Sequence, residues 1–253
     1  DGETYTAIAR ASLMVNDRDS AMRYFETATQ ADDSYDEAFF GLGRLFRKNK
    51  EYKSADFFLT RAVELNDRNE RYSWELALTC KERGEKNRAF ILFESIANSV
   101  KPNPKVFKEL AELCMEKASW YEAQDYYEKA IAAEPDSHQL YFSLAKSYEQ
   151  TDSWGNAVGI LQRAIDIKSD FTEALRMSAR IYFDMERYPQ AQDFYQRVLK
   201  LDSECQTSRI NLGRICNLKG DFREAAEYLI AALRQDNNNA IAHCYYATTL
   251  AEM

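Results

Sequence analysis

Apolar side chains recur along the chain with the spacing of one face of an α-helix, and the same block of spacings returns every 34 residues. Its clearest marker is an alanine that stands at one place in seven successive blocks, without insertion or deletion. These alanines are Ala21, Ala55, Ala89, Ala123, Ala157, Ala191 and Ala225. A large apolar residue follows each alanine four residues later, and a small or branched one follows seven residues later. This i, i+4, i+7 spacing predicts a helix in each block and an internal repeat along the chain.

A second helical stripe precedes the alanine in each block. With the alanine taken as position 20 of its block, position 8 carries Ala or Gly, as in Ala9 and Gly43. Position 7 carries a large aliphatic residue in all blocks except the sixth, which has Ser178. We expect the small residues at positions 8 and 20 to let two helices approach closely, while large side chains at positions 7, 11 and 24 fill the space around them.

Residues that break helices fall between the predicted helices. Gly84 and Gly220 stand at position 15, between the two helices of a block, and Pro189 lies in the first turn of a second helix, where its missing N–H costs no hydrogen bond. Between blocks the chain carries Pro102, Pro104 and Pro135. Only 8 Gly and 4 Pro occur in 253 residues, few for a β-sandwich or β-barrel.

The period divides the chain into seven two-helix segments and one final helix. The predicted segments are residues 2–35, 36–69, 70–103, 104–137, 138–171, 172–205, 206–239 and 240–253. The final helix is apolar all round, whereas terminal repeats usually present a polar outer face. Three interpretations stay open: the natural chain continues beyond Met253, the helix packs on a second copy, or it caps the array.

The combined motif, aromatic-x2-Leu-Gly/Ala-x2-Tyr followed by Ala-x3-aromatic-x2-Ala, resembles the tetratricopeptide repeat. The fifth segment shows it in Tyr141, Leu144, Ala145, Tyr148, Ala157, Leu161 and Ala164. The resemblance covers essentially the whole chain. It implies an all-α fold, a single right-handed α-solenoid of stacked helix-turn-helix repeats. A related family of helical hairpins that reads RNA has a similar period, but it is basic and lacks these alanines.

The charge of the chain argues against a nucleic-acid partner. The net charge of −8 is concentrated in residues 2–35 and 104–137, and no sustained basic stripe is present. No apolar run reaches the length of a membrane span. The absence of Asn-x-Ser/Thr sequons and the apolar setting predicted for the cysteines favour an intracellular, cytoplasmic protein.

The sequence predicts no catalytic residue, metal site or cofactor, and therefore no enzyme in this segment. Three of the five cysteines stand at position 11, a packing position, and neighbouring ones would lie about 10 Å apart, too far for a disulfide. They are Cys80, Cys114 and Cys216. His138 and His243 are three repeats apart and cannot share a metal ion. Gly-rich phosphate loops, nucleophile elbows and HExxH motifs are absent.

The candidate site is the concave face of the first helices, where periodicity places positions 2, 5, 6, 9 and 12. The candidate binding residues on this face are Phe40, Arg44, Arg47, Arg71, Trp74, Lys81, Lys146, Arg176, Arg180, Asn211 and Arg214. Between the two basic stretches the fourth segment contributes Glu109, Glu112 and Glu116. One interpretation is a groove for an acidic or amphipathic peptide or helix of another protein, with arginines on its carboxylates and exposed Phe40 and Trp74 as anchors. The alternative is a solvated face on which Glu75 and Glu37 balance Arg44 or Arg71.

One subfamily of these repeats binds the carboxylate of chaperone tails through a five-residue clamp. Arg176, Arg180 and Asn211 are the nearest match here, but Ile241 and Tyr245 stand where the clamp has its basic pair, so we expect no such clamp. The sequence therefore predicts a protein-binding scaffold within a multiprotein assembly. The alternatives are a non-catalytic targeting or regulatory arm of a larger enzyme and a module that self-assembles through residues 240–253. The fold does not identify the partner.

Overall fold

The computed structural model describes residues 1–99 and 103–253, and these residues form helices and no strand. Pro102, predicted between two blocks, lies outside the described residues. The first helices of the repeats, called the A helices, are α1 (Gly2–Met14), α3 (Asp36–Lys48), α5 (Glu70–Glu82), α7 (Lys105–Glu116), α9 (His138–Gln150), α11 (Thr172–Asp184), α13 (Gln206–Lys219) and α15 (Ala240–Glu252). The second helices, called the B helices, are α2 (Arg18–Ala31), α4 (Tyr52–Leu65), α6 (Lys86–Ala97), α8 (Trp120–Ala133), α10 (Trp154–Ile167), α12 (Tyr188–Leu201) and α14 (Phe222–Gln235). Successive B helices begin 34 residues apart, so the period of the alanines is also the period of the helices.

The turn between the A and B helices of a repeat contains one residue in the left-handed region at position 15. Two of these residues are the predicted Gly84 (φ +83°) and Gly220 (φ +81°). The other five, which the sequence did not indicate, are Asn16, Lys50, Ala118, Asp152 and Glu186. In most repeats the residue that follows this turn residue donates its backbone N–H to a carbonyl five residues earlier, at the end of the A helix. Glu85 N, for example, donates to Cys80 O at 2.9 Å. This is the Schellman arrangement that ends helices on a left-handed residue.

The junction between one repeat and the next is also periodic. Except at Pro104, which has no N–H, the last residue before each A helix from α3 onward donates its N–H to a carbonyl three residues earlier. Examples are Phe171 N to Lys168 O and Cys205 N to Asp202 O, both 3.1 Å long. Pro189 lies in the first turn of α12, as predicted, where it interrupts no helical hydrogen bond.

The seven alanines at position 20 are fully buried, which confirms their predicted packing role. The A and B helices approach each other closely where position 8 is glycine. A Cβ built on Gly43 would lie 2.6 Å from Leu59 Cγ, and one on Gly213 would lie 2.7 Å from Leu229 Cγ. Small residues at position 8 are thus required by the leucines at position 24 of the same repeat.

The chain divides into two compact units, residues 1–118 and 119–253, called the first and second units. Within each unit every helix from the second onward packs on the helix before it. The second unit contains a continuous core in which Leu161, Leu175, Ile181 and Leu212 are almost completely buried. Burial of such side chains contributes about 1.5–3 kcal/mol each, and this is what holds successive hairpins together.

The final helix, α15, packs on α13 and α14 through Ala242 and Thr249. Its Ile241 and Leu250 side chains are 61% and 53% exposed. Among the described residues, no helix has both the length and the apolar character needed to cross a membrane. Cys80, Cys114, Cys205 and Cys216 are buried and Cys244 is exposed, which agrees with a packing role for the cysteines at position 11.

Candidate functional site

The candidate residues of the first unit surround a pocket of about 230 Å³ on α3 and α5. Phe40, Arg44, Arg71 and Trp74 line this pocket, together with Glu70 and Glu75 among others. The structure therefore brings four of the six predicted residues of this unit together. Arg47 and Lys81 do not line the pocket and are held in ion pairs.

Phe40 is buried, with 7% of its surface exposed, so its prediction as an exposed anchor was wrong. The guanidinium carbons of Arg44 and Arg71 each lie 5.4 Å from the Phe40 ring centroid, and the Tyr72 ring lies 4.5 Å away. These three groups cover the phenyl ring, and the two arginines gain cation–π contacts from it. Trp74 is half-buried and packs edge-on against a phenylalanine of α6 at 5.3 Å.

Carboxylates of the next repeat neutralise most of the predicted basic stretch in the first unit. Glu75 is only 14% exposed and lies 3.3 Å from Arg44 Nε and 2.8 Å from Arg47 Nη2. Arg47 also pairs with Glu82 at 3.0 Å. The sequence interpretation that Glu75 balances Arg44 therefore holds. Glu37, the other proposed counter-charge, instead pairs with Arg10 of the preceding repeat.

The acidic residues of the fourth repeat also form ion pairs within the first unit. Lys81 Nζ lies 2.6 Å from both Glu109 and Glu112, and Lys86 pairs with Glu116 at 2.9 Å. Burial lowers the pKa of Lys81, but its hydrogen bonds to these two carboxylates outweigh that effect and raise its pKa above the ordinary value. The inner face of the first unit is thus a ladder of ion pairs between repeats.

The second unit has a more open inner pocket of about 380 Å³ between α9, α11 and α13. Four predicted residues line it: Lys146, Arg176, Arg180 and Asn211. Sequence reasoning, which followed the basic positions, did not select the uncharged lining residues. These are Phe142, Met177, Tyr195, Thr207 and Ser208. Phe142, Met177 and Thr207 occupy positions 5, 6 and 2, so the same inner-face register could have found them.

The cations of this inner pocket differ in their partners. Arg180 pairs with Glu149 and, at 3.8 Å, with Asp184. Lys146 and Arg176 are exposed, and neither forms an ion pair within the described part of the chain. Lys146 Nζ lies 5.9 Å from the Phe142 ring centroid. The pocket therefore presents two available cations beside an apolar floor, and the carboxylates of Glu149 and Glu173 also belong to its lining.

Arg214 lies apart from this pocket, where α13 meets α15. Its guanidinium carbon stands 4.4 Å from the Phe183 ring centroid and 4.9 Å from that of Tyr245, and Nη1 donates to Asn211 Oδ1 at 3.1 Å. A guanidinium between two rings is oriented by cation–π contacts. Arg214 thereby fixes Asn211 at the edge of the inner pocket.

One side-chain cluster has the composition of a metal site but the contacts of an ion-pair network. Ligand atoms of Asp56, Cys80 and Glu85 lie within 4.8 Å of one another. Arg83 pairs with both carboxylates at 2.9 Å, and Arg88 Nη1 lies 2.7 Å from Asp56. Burial raises the pKa of the Cys80 thiol to about 11. A thiol that keeps its proton and carboxylates that bind two guanidinium groups are poor metal ligands, so the cluster bridges α4, α5 and α6 instead.

Comparison with protein families matches two sequence models to this chain. The family described as "Tetratricopeptide repeat" matches residues 6–60 and 176–240. The family described as "Anaphase-promoting complex, cyclosome, subunit 3" matches residues 116–198. A comparison with curated protein sequences found no match.

Several solved structures resemble the chain in fold at low sequence identity. The C-terminal part of a TPR repeat-containing protein from Cytophaga hutchinsonii has a TM-score of 0.82 and 12% identity, with 95% of this chain and 98% of that chain covered. A tetratricopeptide repeat protein from Parabacteroides merdae has a TM-score of 0.64 and 15% identity, with 98% of each chain covered. The APC/C hetero-tetramer Cut9-Hcn1 has a TM-score of 0.50 and 12% identity, with 97% of this chain and 52% of that chain covered.

Proposed function

Because the chain belongs to the tetratricopeptide repeat family, we propose that it binds a segment of a partner protein in the inner pocket of its second unit. The observation that supports this proposal most directly is the pair of exposed cations, Lys146 and Arg176, beside the apolar surface of Phe142 and Met177. A peptide with an acidic side chain next to an apolar one would match both features.

The two units contribute differently to this proposal. In the first unit, Arg44, Arg47 and Lys81 are committed to carboxylates of neighbouring repeats, so a ligand there would have to displace an existing ion pair or rely on Arg71 alone, which forms no ion pair among the described residues. In the second unit, Lys146 and Arg176 can bind a carboxylate without that cost. We therefore assign the acidic-peptide site to the second unit and regard the ladder of the first unit as stabilising.

The experiment is a charge reversal at the two available cations. A fluorescein-labelled 12-residue peptide of alternating Glu and Leu is titrated with the protein, and its anisotropy is measured. Lys146→Glu with Arg176→Glu should weaken binding at least tenfold. The control, Arg187→Glu with Arg223→Glu, makes the same change in net charge at exposed first-turn and cap positions of the second unit and should bind normally. Equal losses in both variants would mean general electrostatic attraction and would remove the assignment to the pocket.

We also propose that the chain works within a multiprotein assembly. The match of residues 116–198 to subunit 3 of the anaphase-promoting complex supports this view, as does the fold likeness to Cut9-Hcn1. In a native extract separated by size, the protein should migrate far above the 29.3 kDa of this chain and cross-link to other subunits. Migration as a free monomer, without cross-linked partners, would contradict the assembly role.

A second candidate function, self-association through residues 240–253, is supported by the exposed Ile241 and Leu250 on α15. Light scattering across a concentration series should show a dimer that Ile241→Glu with Leu250→Glu converts to a monomer. A concentration-independent monomer would end this proposal. The buried thiols fit a reducing compartment, and we propose the cytoplasm as its location.

A further inference from the structure

A second groove lies on the side of the B helices in the second unit. Its volume is about 560 Å³, and α8, α9 and α10 form it. Ile131 of α8 and Ile160 of α10 line it, together with Tyr141 and Leu144 of α9. None of the residues of the inner pocket lines this groove, so it is a separate surface, called here the outer groove.

Small residues on α10 keep the outer groove open. Gly155 and Gly159 are one helical turn apart and exposed, and a Cβ built on either would meet nothing within 4 Å. In the first unit the corresponding space is bridged: Arg88, at the repeat position of Asn156, reaches from α6 to Asp56 and Thr60 of α4. In α10 this position holds Asn156, whose side chain is shorter than that of arginine and exposed.

The rim of the outer groove carries opposite charges on its two walls. Glu128 belongs to α8, and its carboxylate accepts a hydrogen bond from the Tyr148 hydroxyl at 3.2 Å. Arg163 belongs to α10 and is exposed, and no ion pair among the described residues includes it. A ligand with apolar side chains flanked by a carboxylate on one side and a cation on the other would complement both walls.

The geometry points to an amphipathic helix as the occupant. From Gly155 to Arg163 the open side of α10 runs for about two helical turns, roughly 12 Å. Two glycines one turn apart leave the backbone of α10 uncovered, so another helix can approach to the 8–10 Å axis separation of packed helices. Apolar side chains at i and i+4 of such a helix would enter the groove beside Ile131 and Ile160. We propose that the outer groove binds an amphipathic helix of a partner protein, with an acidic residue of that helix facing Arg163.

The first test fills the groove. The probe is a fluorescein-labelled, hydrocarbon-stapled 18-residue helix with Leu at i, i+4 and i+7, Glu along one flank and Lys along the other. Gly159→Trp places an indole in the open space and should weaken binding at least tenfold, whereas the matched control Gly159→Ala should bind as the parent protein does. Far-UV circular dichroism verifies that both variants keep their helix content.

The second test reverses a charge without adding bulk. Arg163→Glu should weaken binding at least tenfold, and a probe with Lys in place of its Glu residues should regain affinity for this variant. Arg197→Glu, at the same repeat position of α12, should leave binding unchanged. Normal probe binding by both Gly159→Trp and Arg163→Glu would overturn the proposal.

The same assay separates the outer groove from the inner pocket. The inner-pocket variant, Lys146→Glu with Arg176→Glu, should bind the helical probe normally and fail only with the acidic 12-residue peptide. Loss of helical-probe binding in that variant would assign the probe to the inner pocket and overturn the outer-groove site. If the acidic peptide does not bind in the inner pocket, Gly159→Trp and Arg163→Glu should still weaken binding of the helical probe.

Discussion

Replacing Gly159 by alanine is expected to make the protein more stable. Gly159 lies in the interior of α10, its backbone is helical, and a Cβ built on it touches nothing within 4 Å. Glycine in a helix interior costs roughly 0.5–1 kcal/mol relative to alanine, because it loses more backbone freedom on folding. With no clash to offset this gain, Gly159→Ala should raise the free energy of unfolding by about the full amount.

The measurement is urea unfolding followed by circular dichroism, supported by the thermal midpoint. For a chain of about 250 residues, 1 kcal/mol corresponds to about 2–4 °C in Tm. Two controls in the same chain should change stability in the opposite direction. Gly43→Ala places a Cβ 2.6 Å from Leu59 Cγ, and overpacking of this kind typically costs about 1–3 kcal/mol. Gly84→Ala forces alanine to φ +83°, at a cost of roughly 1–2 kcal/mol.

The direction in which Gly159→Ala changes the unfolding midpoint tests whether the space beside α10 is open. If Gly159→Ala lowers the unfolding midpoint, the space beside α10 is not open, and the argument for the outer groove fails with it. If all three alanine variants change stability equally, the local environments described for the glycines are wrong.

Three further perturbations test other parts of the structure. Glu75→Gln removes the charge of a largely buried carboxylate that two arginines share, and it should lower the free energy of unfolding by about 1–3 kcal/mol. The control, Glu64→Gln, changes an exposed ion pair and should have little effect on urea unfolding. Burial raises the pKa of Tyr195 to about 12. The stability that its neutral phenol contributes is therefore present below pH 10 and is lost as the pH rises towards 12. Tyr195→Phe should reduce this loss of stability when unfolding is measured over a series of alkaline pH values. The buried Ser178 hydroxyl has no hydrogen-bond partner among the described residues, so Ser178→Ala should raise the thermal midpoint, while Ser147→Ala, which removes a hydroxyl that donates to a backbone carbonyl, should lower it.

The helical architecture could be predicted from the sequence because one residue type repeats where the geometry is most demanding. Position 20 accepts only a small side chain, so the same residue, alanine, occurs there in every repeat and reveals the 34-residue period. The turn residues were less visible. The left-handed conformation at position 15 is held by Schellman hydrogen bonds of the backbone, so Lys50 and Glu186 adopt it without any glycine to indicate it.

The sequence predicted which side chains share the inner face, but it did not predict which of their charges are paired. The inner-face register brought four candidates into each pocket, but it left open which of the arginines are paired with carboxylates. In the first unit, cations at position 12 find a counter-charge 28 residues later, because position 12 of one A helix faces position 6 of the next, as with Arg47 and Glu75 or Lys81 and Glu109. Opposite charges at this spacing are a signal that the sequence contains. The burial of Phe40 under two guanidinium groups depends on side-chain rotamers, and no spacing rule reports those.

The identical hydrogen bonds at Phe171 and Cys205 make the repeats of the second unit interchangeable at their ends. Removing residues 172–205 would join α10 to α13 through residues 168–171, whose hydrogen bond matches the one that now precedes α13. Each hairpin would keep one neighbour on either side, so the shortened chain should fold with the same local contacts. Such a protein would lack Arg176 and Arg180 but keep the whole outer groove, since α8, α9 and α10 all precede the excised cassette. The inner pocket and the outer groove can therefore be separated, because removing one 34-residue repeat disrupts the first and leaves the second intact.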